Sequence, residues 1–152
     1  MAIQRADFPL PDVADPIVAP FFAAAADHEL RVTRCAGCAR FDWYPHDACP
    51  VCGHALEWAL VSGRASLFSW AVVQRPFLPA FAAMVPFVTA LVALEEDPAV
   101  RLCTLVVDDE SRPLVADQPM EVAFRPLSFA TVPGREVIVP MFRPIGTGRG
   151  PQ

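Results

Sequence analysis

Four of the five cysteines of this chain lie within the run CAGCARFDWYPHDACPVCG, which begins at Cys35. Cys35 and Cys38 are separated by two residues, as are Cys49 and Cys52, and ten residues lie between the pairs. A CxxC loop turns tightly enough to aim both sulfurs at one ion, and two such knuckles complete a tetrahedral thiolate site of the kind Zn²⁺ favours. With sulfur at all four corners no position is left for water or substrate, so the expected metal is structural Zn²⁺. Such an ion contributes on the order of 10 kcal/mol to the folding of a segment too small for a core of its own.

Four other readings of the same residues stay open. Disulfides would need an oxidising compartment. A CxxC redox switch normally comes with a βαβ pattern, which this sequence does not show. CPVCG would also suit iron in a rubredoxin-like site, and His46 or His54 could replace one sulfur. Cys103 stands apart, in a strand-like run where Arg101, Leu105 and Val107 share its face. With no His or Lys nearby to activate it, it reads as a buried, inert thiol.

At 152 residues the chain has room for one domain, or for a small module joined to a compact barrel. Apolar residues make up 54% and charged residues 19%, and Pro, Arg or acidic residues break the apolar runs before the roughly 18 residues a membrane span needs. The start, MAIQRADFPLPD, lacks the basic, apolar and small-residue series of a secretory signal. A soluble, cytoplasmic protein with no membrane association is therefore expected. Net charge is 12 − 17 = −5. Nucleic-acid binding draws its affinity from neutralised phosphates, so no nucleic-acid partner is expected either. Seventeen prolines favour short strands and loops over long helices.

Residues 1–14 carry Phe8, Pro9 and Pro11 without periodicity and read as an extended arm, lying on the surface or on a partner. A short helix is expected from about Pro20 to Asp27, with His28 exposed at its end or capping it. Extended segments at 30–34 and 56–60 flank the cysteine knuckles, which is the plan of a rubredoxin-like zinc ribbon. Beyond Gly63 come five β-type runs, at 64–74, 86–94, 100–107, 120–125 and 136–142. The expected fold is therefore mainly β: a short N-terminal helix and a zinc ribbon, then a five-stranded OB-fold barrel. The expected units are an arm and helix over 1–29, the ribbon over 30–62, the OB-fold domain over 63–145 and a flexible tail over 146–152.

Catalytic motifs are scarce. No GxSxG, P-loop, dinucleotide-binding glycine pattern or HExxH occurs, and Glu95, Glu96 and Asp97 beside Pro98 read as a solvated hairpin tip. No catalytic residue is assigned. The segment QRPFLPAFAAMVPF, from Gln74 to Phe87, is more informative, because it joins two strands yet is strongly apolar. It must cover the barrel's own core, meet a partner or hold the acyl chain of a ligand. Phe22, Phe77 and Phe81 are candidates for such contacts. Arg64, Arg75 and Arg101 are candidates for the phosphates of a ligand or for partner carboxylates, which guanidinium forks recognise.

In order along the chain, FPLP, PFFAAAADHEL, CAGC with CPVCG, SGRASLFSWAVVQRPF, VPFVTALVALEE, MEVAFR and VPMFRP resemble the zinc-ribbon and OB-fold acyl-CoA-associated proteins known as domain of unknown function 35. The resemblance covers nearly the whole chain. It implies a non-catalytic accessory subunit of a thiolase-like enzyme, such as an aldolase cleaving a steroid side-chain acyl-CoA, in a hetero-oligomer built around a dimer of that enzyme. It also leaves a hot-dog-fold acyl-CoA hydratase as partner. Single-stranded nucleic-acid binding by the OB fold and rubredoxin-like electron transfer are the alternatives from other classes. The chain departs from the family at Phe22, where Trp is usual, near Asp117, where Gly is usual, and at DPAVRL, which replaces a glycine-containing turn.

Overall fold

In the computed structural model, which describes residues 5–109 and 113–146, the chain enters through a series of turns rather than an extended arm. Leu10 is buried there against Phe129 and Val132, with Phe81 and Met84 packed around them. The Arg5 guanidinium bonds the Leu10 carbonyl and pairs with Asp12 at 3.2 Å, which holds the turns closed. The arm therefore lies on the chain's own barrel. Residues 1–4 and the expected tail at 147–152 fall outside the described residues.

Asp15 then holds the turn that leads into the helix α1, Ala19–Ala26, accepting from the Ile17 N–H through its side chain and from the Ala19 N–H through its carbonyl, while Val18 occupies the N-cap without a side-chain bond. The helix ends in a Schellman motif. Glu29 N–H reaches the Ala24 carbonyl, His28 N–H reaches that of Ala25, and His28 takes the left-handed conformation at φ 59°. The His28 ring lies flat on Phe124, centroids 5.4 Å apart. That stacking, and not a bond to the helix end, is its main contact.

Strands β1 (Arg31–Cys35), β2 (Phe41–Asp42) and β3 (Leu56–Leu60) form an antiparallel sheet in the order β2, β1, β3. The two-residue β2 has too little pattern to be seen in sequence. Five strands follow: β4 (Arg64–Val73), β5 (Phe87–Leu94), β6 (Arg101–Val106), β7 (Pro119–Ser128) and β8 (Glu136–Pro144). They close a barrel in the order β4, β5, β6, β8, β7. Every neighbouring pair is antiparallel except β6 and β8, which meet through one parallel pair, Val106 opposite Phe142. This is the five-stranded OB plan, with strand bounds close to those expected.

One apolar cluster runs through both parts. Leu30, Val32 and Val61 of the ribbon side join Leu67, Val92, Leu94, Met120 and Phe142 of the barrel, and Phe21 of α1 completes it. The ribbon therefore shares the barrel's core. Gly63 makes the junction possible: it sits at φ +78°, and a Cβ there would come 2.4 Å from Val122 Cγ1. Glu96 accepts from the Ser62 N–H at 2.5 Å, and Glu95 lies 3.5 Å from the Ser62 hydroxyl. The acidic hairpin tip thus clasps the junction instead of only facing solvent.

Candidate metal centre and exposed surfaces

The two knuckles have the same shape. Cys35 N–H reaches the Arg40 carbonyl and Ala39 N–H returns to the Cys35 carbonyl at 3.0 Å. Cys49 N–H reaches the His54 carbonyl and Gly53 N–H returns to the Cys49 carbonyl at 2.9 Å. Each turn needs a left-handed residue at its fifth position, supplied by Ala39 at φ 62° and Gly53 at φ 75°. Strand β1 delivers Cys35 directly, so the sheet register sets where the first knuckle stands.

The four sulfurs lie within 4.8 Å of one another. Cys38 and Cys49 are 3.8 Å apart and Cys35 and Cys52 3.3 Å. A tetrahedron with metal–sulfur bonds near 2.3 Å has edges of about 3.8 Å, so one Zn²⁺ fits this cage. Backbone N–H groups prepare it for charge. The Gly37 and Cys38 N–H groups aim at Cys35 Sγ at 3.3 Å each, and the bond from Cys38 is the main reason the Cys35 thiol is held below its ordinary pKa. Backbone bonds from Cys52 and from His54 lower Cys49 and Cys52 respectively. Cys38 goes the other way. The Arg40 N–H favours its thiolate, but burial and the three neighbouring sulfurs outweigh that bond and push it up to about 11. Four thiolates this close require a cation, which when bound would keep all four deprotonated.

Neither histidine replaces a sulfur. His46 pairs with Asp42 at 2.7 Å, and His54 bonds Cys52, which raises its own pKa. The His54 ring also packs over Gly37, where a Cβ would come 2.5 Å from it.

Among the residues expected to touch a ligand or partner, Phe77 is 94% exposed and Leu78 beside it is exposed too. Phe81 turns inward and meets Phe129 edge-on, ring centroids 5.2 Å apart. The apolar connection is thus divided: its second half covers core and its first half faces outward. Exposed Trp70 and Val72 on β4 lie near the base of the same hairpin. Arg75 stands apart from the other two arginines. Arg64 begins β4 and Arg75 lies just past its end, about 35 Å further along the chain at strand rise. Arg101 is exposed with its guanidinium 3.7 Å from the Phe68 ring centroid.

Cys103 contradicts expectation. It is exposed on β6, because the inward side chains are those of Leu102, Thr104 and Val106. With Phe22 it borders an apolar cleft of about 320 Å³ between α1, the ribbon and the barrel, to which Trp43 and Tyr44 contribute unforeseen. Those aromatics sit in the loop between the knuckles, where sequence offered no periodicity to place them. No helix of the described residues is long and apolar enough to cross a membrane.

Comparison with known proteins adds a second line of evidence. Residues 22–57 match the model described as the ChsH2 rubredoxin-like zinc ribbon domain, and residues 58–125 match the ChsH2 C-terminal OB-fold domain. The structure titled "Ltp2-ChsH2(DUF35) aldolase" superposes with TM-score 0.72 at 29% identity, covering 88% of this chain and 98% of that one. A DUF35-family protein of unknown function from Sulfolobus solfataricus shares the fold, with TM-score 0.56 and 12% identity over 86% of this chain and 87% of that one. The "Probable enoyl-CoA hydratase alpha subunit" of Thermomonospora curvata is 32% identical over 126 residues, which is 82% of this chain. The chain spans 36% of that relative's length.

Proposed function

Since this chain belongs to the ChsH2 family of zinc-ribbon and OB-fold proteins, we propose that it is a non-catalytic accessory subunit of a thiolase-fold enzyme acting on acyl-CoA thioesters. The reaction we assign to the complex is retro-aldol cleavage of a steroid side-chain acyl-CoA. The observation that carries this reading is the superposition on almost the entire ChsH2(DUF35) chain of an aldolase named for two components. The site chemistry agrees with it: four thiolates saturate the metal, so zinc holds the ribbon and offers no open position for a substrate. The units at work are the arm and helix (1–29), the ribbon (30–62) and the barrel (63–145), in a cytoplasmic hetero-oligomer built on a dimer of the catalytic subunit. Exposed Phe77, Arg64, Arg75 and Arg101 are the contacts we assign to acyl-CoA or partner. Phe81 anchors the same connection to the core through Phe87 and Phe129, and Phe22 borders the cleft.

Co-expression with a thiolase-fold protein tests this. The two chains should co-elute, and the partner should lose retro-aldol activity or solubility without this one; a partner fully active and soluble alone refutes the role. A second reading, partnership with a hot-dog-fold acyl-CoA hydratase, draws on the hydratase relative and would be favoured by co-elution with such a chain instead. Net charge of −5 argues against single-stranded nucleic acid as partner, and an oligonucleotide titration checks that. A colourless protein containing zinc would exclude the iron-carrier alternative.

A further inference from the structure

The barrel is unevenly sealed. Strands β6 and β8 form a single ladder pair, Val106 with Phe142, next to the bond from the Val107 N–H to the Phe142 carbonyl. The Leu94 N–H to Val100 carbonyl bond fixes the alternation along the β5 and β6 ladder. It follows that Leu102, Thr104 and Val106 direct their backbone groups to β5, while the N–H groups of Cys103 and Leu105 face β8. Neither of those two has a ladder partner on β8, which pairs with β6 at Val106 alone. The seam opens there into the cleft, walled by Leu105, Pro140 and Met141 and roofed by Phe22, Trp43 and Tyr44.

The chemistry of this cleft is selective. Among the described residues that line it none is charged. Its threonine hydroxyls are already engaged, Thr104 with the Pro140 carbonyl at 3.3 Å and Thr89 with the Thr104 carbonyl at 3.3 Å. The strand-edge N–H groups are donors that want an acceptor. A volume of about 320 Å³ lies at the lower end of small-molecule sites. We propose that this seam binds an uncharged, apolar small molecule carrying a carbonyl oxygen, its hydrocarbon body against the aromatic roof and its oxygen accepting from the N–H of Cys103 or Leu105. Such binding needs no partner subunit, so it goes beyond the accessory role and survives that role's failure.

The test uses the full zinc-loaded chain, labelled with ¹⁵N, and two neutral ketones, 2-decanone and camphor, with decanoate as the charged control. At least one ketone should give saturable shifts at the Cys103 and Leu105 amides and cross-peaks to the Met141 methyl. Decanoate should bind about tenfold more weakly or less at neutral pH, because its carboxylate meets no cation there. Leu105→Trp, which fills the cleft, should weaken the ketone at least as much. If that variant does not fold, the wild-type shift map decides alone. Absence of saturable shifts with both ketones, shifts centred on Trp70 and Val72, or equal binding of decanoate would overturn the proposal. Tighter binding of an extended valine-rich pentapeptide at the same amides would overturn it too, in favour of strand addition.

Discussion

Gly63→Ala probes the junction on which the shared core depends. At φ +78° an alanine costs about 1–2 kcal/mol, because its Cβ crowds the following carbonyl. The new Cβ would also stand 2.4 Å from Val122 Cγ1 and 3.3 Å from Val122 Cβ, about 1 Å inside ordinary carbon–carbon contact. Val122 is β-branched, and its N–H is held to the Gly63 carbonyl at 2.8 Å, so it cannot step aside without disturbing the start of β7. Overpacking of this kind costs about 1–3 kcal/mol. The sum is about 2–5 kcal/mol, a fall in the urea midpoint of about 1–2.5 M for a slope near 2 kcal/mol/M. Urea titration of the zinc-loaded protein, followed by tryptophan fluorescence, measures it. Gly63→Ala with Val122→Ala should recover the steric part relative to Val122→Ala alone, while the conformational part remains. A midpoint unchanged by Gly63→Ala, or no recovery in that cycle, refutes the reasoning.

Cys49→Ser should reduce bound zinc from one equivalent to none by metal analysis and unfold the ribbon, since the ion carries much of that segment's folding energy. Ala39→Gly should stabilise by up to about 1 kcal/mol, because the first knuckle forces Ala39 to φ 62° as the second does Gly53. Phe142→Ala should cost about 3–5 kcal/mol in thermal or urea unfolding, whereas Phe77→Ala should stay within about 0.5 kcal/mol and affect only complex formation. The Glu96 carboxyl titrates below the ordinary carboxylate range. Partial burial works against the charged form, but the bonds from Ser62 prevail. Its contribution is therefore present above the unfolded pKa and is lost as pH falls through the lowered folded value. Exposure limits it to a few tenths of a kcal/mol, and Glu96→Gln should flatten the stability curve in that acid range.

The metal centre was legible because its signal is local. Two residues between sulfurs fix a knuckle whatever surrounds it, and the fold closes Cys35, Cys38, Cys49 and Cys52 into one cage. The barrel strands were legible because runs such as 86–94 and 100–107 are long and bounded by Pro and acidic turns. Asp117, near which the resemblance implied a Gly, stands at φ 62° in a turn where its N–H bonds the Leu67 carbonyl, a conformation Asp tolerates better than most residues.

What lay beyond the sequence is what depends on residues far apart in the chain. Whether Cys103 is buried turns on which side of β6 faces the barrel axis, and its own neighbours alternate either way. That Phe81 covers core while Phe77 meets solvent follows from Leu10 and Phe129 arriving from opposite ends of the chain. The acidic tip became a clasp only when the β5 to β6 turn reached Ser62. Local spacing determined the sulfur cage and the strand inventory, because short-range backbone geometry suffices for both. Burial, the shared core and the open seam were decided by tertiary packing, because each needs surfaces that meet only after the barrel has closed.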